Sequence, residues 1–206
     1  MTLDTLSHLR DPLLFKWHVI SLFAFVVYIY AVEIERKNWD LVLAGLVVWG
    51  MDTFLEIINA LFLYFSKFSA VWMEIGPTSY QIFIGLNIET YFMFAVMGIV
   101  FGKMLPKDKN RKILGLPNRW FFIVINSLFC VFIEVLLNHM GVLVWNYHWW
   151  NFPNVWLIIL FGYAPYFLGA YYIIDLPSMK NKICLVSALW FIDLIALAVL
   201  LPLGVI

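Results

Sequence analysis

In the stretch "WGMDTFLEIINALF", from Trp49 to Phe62, Asp52, Glu56 and Asn59 stand four and three residues apart inside an apolar run. That spacing places them on one face of a helix. A second set, Glu134, Asn138, Gly141 and Trp145, follows at i, i+4, i+7 and i+11 and reads as one face of a later helix. Asn87, Glu89 and Asp193 sit in two further apolar segments. Five acids, Asp52, Glu56, Glu89, Glu134 and Asp193, are thus buried in hydrophobic sequence with no lysine or arginine deep enough to pair with them. A charge at the centre of a bilayer costs at least about 3 kcal/mol. Desolvation and mutual repulsion favour the neutral acid, so some of these carboxyls are expected to keep their proton near neutral pH. A neutral carboxyl in an apolar site is a general acid. One such acid is readily explained as polar glue between helices, but five of them, on faces shared with Asn59, Asn87 and Asn138, point to a site.

Aromatic residues follow the second acid. In "VWNYHWWNFPNVW", Trp149, Trp150 and Trp156 suit an interfacial belt, whereas Trp145 continues the Glu134 face. Trp145 and Tyr147 are expected to rim a cavity mouth. Tyr163 and Tyr166, flanking Pro165, would line the same cavity where the helix kinks. His139, beside the Glu134 face, is a helix-packing histidine or a substrate contact.

The elements that must position these groups are membrane spans. Hydrophobic residues make up 64% of the 206 positions and charged residues 13%, well below the roughly 25% charged of a soluble domain. Six segments approach or exceed the ~20 apolar residues of a spanning helix: 13–33, 39–66, 79–104, 119–146, 155–175 and 184–206. They are continuous rather than alternating, which predicts an all-α polytopic bundle, not a barrel. The chain reads as a single helical domain over 1–206. The N-terminus carries acids and a proline before its first apolar run, and no small-residue cleavage site follows, so that run is read as a retained helix. At about 1.5 Å per residue, Glu56, Glu89 and Glu134 should lie at similar depth and converge, with Asp52 and Asn138 at the wall. Asp193 should lie nearer the cytoplasm. Cys130 and Cys184 have no metal or disulfide spacing and read as core thiols.

Formal net charge is zero, but the basic residues are unevenly placed. Alternating loops put Arg36, Lys37, Lys103 to Arg119, Lys180 and Lys182 on one side, and only Arg10, Lys16 and Lys67 on the other. The positive-inside rule makes both termini non-cytoplasmic. The basic loop "KMLPKDKNRKILGLPNR" is then a topology signal, and no nucleic-acid partner is implied.

A weak internal repeat relates "FLEIINALFLYF" to "FIEVLLNHMGVLVW" and "NIETYFMFAVMGI" to "GYAPYFLGAYYII". It describes a helical hairpin occurring twice in the same orientation, a parallel repeat of the kind some transporters use.

"DTFLE" in the second span with "FID" in the last resembles the small integral-membrane terpene cyclases, in which two carboxyls protonate a prenyl epoxide or alkene. That resemblance assigns the roles to Glu56 and Asp193. Glu134, Gly141, "WNY" and a following proline resemble the membrane carotenoid hydratases, which protonate a terminal isoprenoid double bond. The leading expectation is an enzyme working by general acid chemistry on an apolar isoprenoid or lipid. Glu56 or Glu134 would be the acid, Asp52 and Asn59 would set its proton, and Trp145, Tyr147 and Tyr163 would line the pocket; no cofactor is needed. The alternatives are a proton- or cation-coupled transporter, a non-catalytic lipid-binding or assembly protein, and, more weakly, a metal enzyme using Glu56, Glu89, Glu134 and His139.

Overall fold

The computed structural model describes residues 2–75 and 80–206. Its α-helices are α1 (Thr2–His8), α2 (His18–Glu35), α3 (Trp39–Ser66), α4 (Ile88–Lys103), α5 (Asn118–His139), α6 (Ala164–Asp175) and α7 (Met179–Leu200). Among the described residues five helical stretches are long and apolar enough to cross a membrane: α2, α3, α5, α7 and the continuous stretch Ile158–Asp175 that ends in α6. Of the two remaining helices, α1 has 7 residues and α4 has 16.

Two of the expected spans are shorter than their apolar runs. The third is expected over 79–104; Ser79 lies outside the described residues, and the segment before Ile88 is not helix but a hairpin of β2 (Gln81–Phe83) and β3 (Leu86–Asn87). At about 1.5 Å per residue, α4 reaches roughly 24 Å, short of the ~30 Å hydrocarbon core. Non-helical backbone is tolerated at such a site only where protein covers it. Here Gln81, Phe83, Ile84 and Leu86 are all buried, and the Gln81 amide donates to the Glu74 and Ile84 carbonyls. Gly85 makes the turn against the Trp72 indole, where a Cβ would collide. The fourth span is expected over 119–146; α5 stops at His139, Gly141 takes a left-handed φ of +73°, and β6 (Leu143–Trp145) follows. Gly141 and Trp145 therefore do not continue the helical face of Glu134.

The strand β6 pairs antiparallel with β1 (Trp72–Glu74), Trp72 opposite Trp145. This joins the tail of α3 to the tail of α5, the two ends that the internal repeat relates. A second similarity is structural: "FIGLN" and "ILGLPN" both form tight hairpins, β2–β3 before α4 and β4–β5 (Lys112–Ile113, Leu116–Pro117) before α5.

The central helix is α3, 61% of whose most apolar window is buried, against 11% for the lipid-facing α7. Small residues let neighbours approach it closely. Gly98 of α4 faces the backbone of Ala44, Gly50 faces Leu189 and Trp190 of α7, and Gly169 of α6 faces Met51. Side chains also tie helices to free carbonyl lone pairs: Tyr30 OH donates to Ala95 O at 2.7 Å and Trp190 Nε1 to Leu46 O at 3.0 Å.

The face with most basic residues is laced by ion pairs. Lys103 pairs with the buried Glu33, Lys109 and Arg119 with Asp175, and Lys182 with Asp40. These contacts bring the ends of α2, α4 and α6 together with the starts of α3, α5 and α7, so the loops that charge counting assigned to one side do share one side. Cys130 is buried as expected, but Cys184 is exposed on the outer surface of α7.

Candidate functional site

The acids of α3 and α5 meet a cavity of about 590 Å³ enclosed by α3, α4, α5, the Ile158–Tyr163 turn and α6. Asp52, Glu56, Glu74 and Glu134 all line it. Most of the remaining wall is apolar, with Leu55, Met97, Phe94 and Ile158 among its members.

Three of these carboxyls accept from an aromatic side chain. Glu56 Oε1 accepts the Trp72 indole N–H at 2.5 Å, and Oε2 has no partner in the protein. Asn59 lies one turn further along α3. Its Oδ1 accepts from Val71 N at 2.8 Å and its Nδ2 donates to Trp72 O at 2.8 Å, so it fixes the chain that carries the indole. Tyr166 OH donates to Asp52 Oδ1 at 3.3 Å, leaving Oδ2 unpartnered. On α5, Glu134 Oε1 accepts from Tyr163 OH at 2.8 Å.

Tyr163 owes its position to an irregular turn. Residues Ile158–Tyr163 form a π-helix before Pro165 enters the first turn of α6. The wider turn changes the angular relation between the residues before it and those after it, a feature often found at functional sites. Phe94 of α4 stands with both tyrosines, its ring centroid 5.2 Å from Tyr166 and 6.4 Å from Tyr163.

Glu74, on β1, is the acid that sequence reading missed. Its carboxylate accepts from Asn87 N at 2.7 Å and Thr90 Oγ1 at 2.9 Å, at the N-terminus of α4. Asn87 also caps that helix, its side chain accepting from Thr90 N. Burial pushes Glu74 up to about 7, against the opposing effect of the Thr90 and Asn87 hydrogen bonds, with repulsion from Glu89 and Glu134 adding to the rise. An acid that holds its proton more tightly in the folded than in the unfolded chain supports the fold at low pH and withdraws that support as pH rises through its folded value. The thermal midpoint in detergent is therefore expected to fall as pH rises from about 4 to about 7, with Glu74 contributing to that slope. Glu74→Gln should remove its share of the slope in a pH series of melting curves.

Other expected site residues lie elsewhere. Glu89 is on the first turn of α4, bonded to His18 Nε2 at 2.7 Å, and does not line the cavity. With α4 starting at Ile88, it sits at the hairpin end; the antiparallel contacts of α4 with α3, Gly98 on Ala44 and Tyr91 OH on Thr53, keep it near the level of Glu56 but off the cavity wall. Asp193 is fully buried on α7 but outside the cavity, both carboxyl oxygens unpartnered. Because α7 begins at Met179, not 184, Asp193 lies in the half away from the basic face. Asn138 donates to Leu143 O and holds the turn into β6; His139 is exposed at the end of α5. Trp145 is buried in the β1–β6 pair, and Tyr147 donates to Ser69 O amid Phe62, Phe68 and Trp149. Neither rims the cavity; Trp72 and Trp150, stacked with centroids 5.9 Å apart, take that place. Asn87 and Tyr163 do line it. Among the described residues no three of His, Cys, Asp and Glu are grouped to hold a metal ion.

The cavity is not closed all round. Met93 and Val100 of α4 and Phe129 of α5 belong to its wall and are 56%, 45% and 56% exposed. They lie on the flank where the bundle meets lipid. There α4 packs on α3 and α2, and α5 packs on α6 and the π-turn, which leaves a lateral gap between α4 and α5. Toward the basic face Phe101 packs edge-on against Phe167 at 5.1 Å, and the end of the cavity is apolar.

No solved structure matches this chain. An "Uncharacterized protein" of Archaeoglobus fulgidus is 46% identical over 196 residues, covering 95% of this chain and 93% of that relative. Nothing in these matches supports the resemblance to terpene cyclases or carotenoid hydratases. The family model that matches residues 1–202 is described as "Uncharacterized membrane protein family", and a match over nearly the whole length of this apolar helical chain makes it a member of that family of integral membrane proteins.

Proposed function

We propose that the protein is an integral-membrane enzyme that protonates an apolar, isoprenoid-like lipid inside the bundle, acting as a cyclase, hydratase or isomerase. The observation that carries this reading is the convergence of four carboxyls on an apolar cavity that opens sideways toward lipid. A hydrocarbon chain partitions into the bilayer and enters between α4 and α5 without crossing water. Its reactive end then lies among Glu134, Glu56 and the aromatic rings.

Glu134 is the acid in this reading. Tyr163 donates to Oε1, which leaves Oε2 to carry the proton. Transfer uses the alkene π pair to form a C–H bond and leaves a carbocation on the neighbouring carbon. The ring faces of Phe94, Tyr166 and Trp72 attract that charge. A proton then leaves the cation to a cavity carboxylate, or a second double bond or a water attacks it. With the basic face at the cytoplasm, the acids lie in the outer half of the bundle.

The test is incubation of purified protein in liposomes with isoprenoid alkenes and epoxides in D₂O, with product analysis by mass spectrometry and parallel measurement of ion flux. The expected result is a product carrying solvent deuterium on carbon. Met93→Trp, which narrows the lateral gap, should lower its yield several-fold while leaving the acids intact. Acid-dependent ion flux without any product would favour a transporter instead.

A further inference from the structure

A buried acid that gives up a proton each turnover must regain one, and toward the basic face the cavity wall is apolar, with Phe101 packed on Phe167. The opposite end carries a pair that the proposed reaction does not itself use. His18, at the start of α2, has a side chain 40% exposed, and its Nε2 lies 2.7 Å from Glu89 Oε1, whose side chain is 28% exposed. Glu89 stands on the first turn of α4, between Asn87 and Thr90, and those two residues bind the Glu74 carboxylate. Glu89 thus shares one helical turn with both groups that hold Glu74. Glu74 in turn faces Glu134, Glu56 and Asp52 across the cavity.

We infer that His18 and Glu89 form a proton port that connects water at the hairpin face to Glu74 and through it to the cavity acids. A proton from water binds His18 Nδ1, the Nε2 proton passes to Glu89, and Glu89 hands it across the α4 N-terminus to Glu74. One proton enters and one reaches Glu74, with His18 left in its other tautomer. The role of the port in turnover rests on the proposed acid chemistry; its existence does not.

The experiment follows Glu74 directly. The carboxyl infrared band lost in Glu74→Gln identifies its signal, and a rapid pH jump on detergent-solubilised protein gives the rate at which it is protonated. His18→Ala and Glu89→Gln are each expected to slow that rate at least tenfold. Glu89→Gln should also lower the Glu74 titration midpoint, because a like charge is gone. Added imidazole should restore the His18→Ala rate. Unchanged rates in both variants would overturn the port, and so would a slowing of His18→Ala that imidazole does not relieve. A working port in a protein that converts no isoprenoid would leave this inference standing and remove the proposed reaction.

Discussion

Glu134→Gln is expected to lower conversion of the isoprenoid substrate by two to four orders of magnitude, the usual contribution of a positioned general acid (~10²–10⁴). The amide has nearly the same shape and can still accept the Tyr163 hydrogen bond at Oε1, so packing should be unchanged. What it lacks is a proton acidic enough to reach carbon. Tyr163→Phe keeps the acid but releases its orientation, and the rate should fall by about tenfold. Initial rates on purified variants with matched melting curves measure both effects. A Glu134→Gln protein that is folded and fully active would show that the carboxyl serves only to hold helices together.

Gly98→Val is expected to leave little folded protein in the membrane. A Cβ at this position lands against the carbonyl of Ala44 and close to the Cα of Gly45. Backbone cannot rotate aside as a side chain can. The branched residue must therefore pry α4 from α3, the helix around which the bundle is packed, and overpacking of this kind costs about 3 kcal/mol or more. Against a total stability of roughly 5–15 kcal/mol, that is a large share. Gly162 provides the control, since a Cβ there would meet Ile158 at an ordinary 3.4 Å. Detergent extraction followed by size-exclusion chromatography should recover Gly162→Ala near the wild-type yield and little monodisperse Gly98→Val.

The bundle was legible in the sequence because lipid demands long apolar runs: the run 39–66 coincides with α3, and 155–175 with the helical stretch that ends in α6. The clustering of Asp52, Glu56 and Glu134 on one cavity was legible because helical spacing shows which residues share a face. Where the backbone leaves the helix inside an apolar run, hydropathy is blind. "YQIFIGLN" is as greasy as a span, yet Gly85 and the capping Asn87 turn it into a hairpin. That error put Glu89 well inside a helix, whereas it stands on a first turn, bonded to His18 and off the cavity wall. Glu74 was missed for the same reason: "VWMEI" is too short to register as an element until its partner "LVW", from far along the chain, is seen beside it. The π-turn before Pro165 leaves no local pattern beyond the proline itself.

The pairing of β1 with β6 fastens one end of α5 to the tail of α3, and the Arg119–Asp175 pair fastens its other end to α6. Along its length α5 thus resembles a string clamped at both ends, with its middle unsupported on the side toward α4. A member held this way is expected to yield by bowing, and Phe129 and Met93 flank the gap where it would do so. The gap then widens most at mid-span and least at the clamps. If the proposed reaction holds, such an opening is expected to admit a slender hydrocarbon tail sideways and to hold back a bulky polar head.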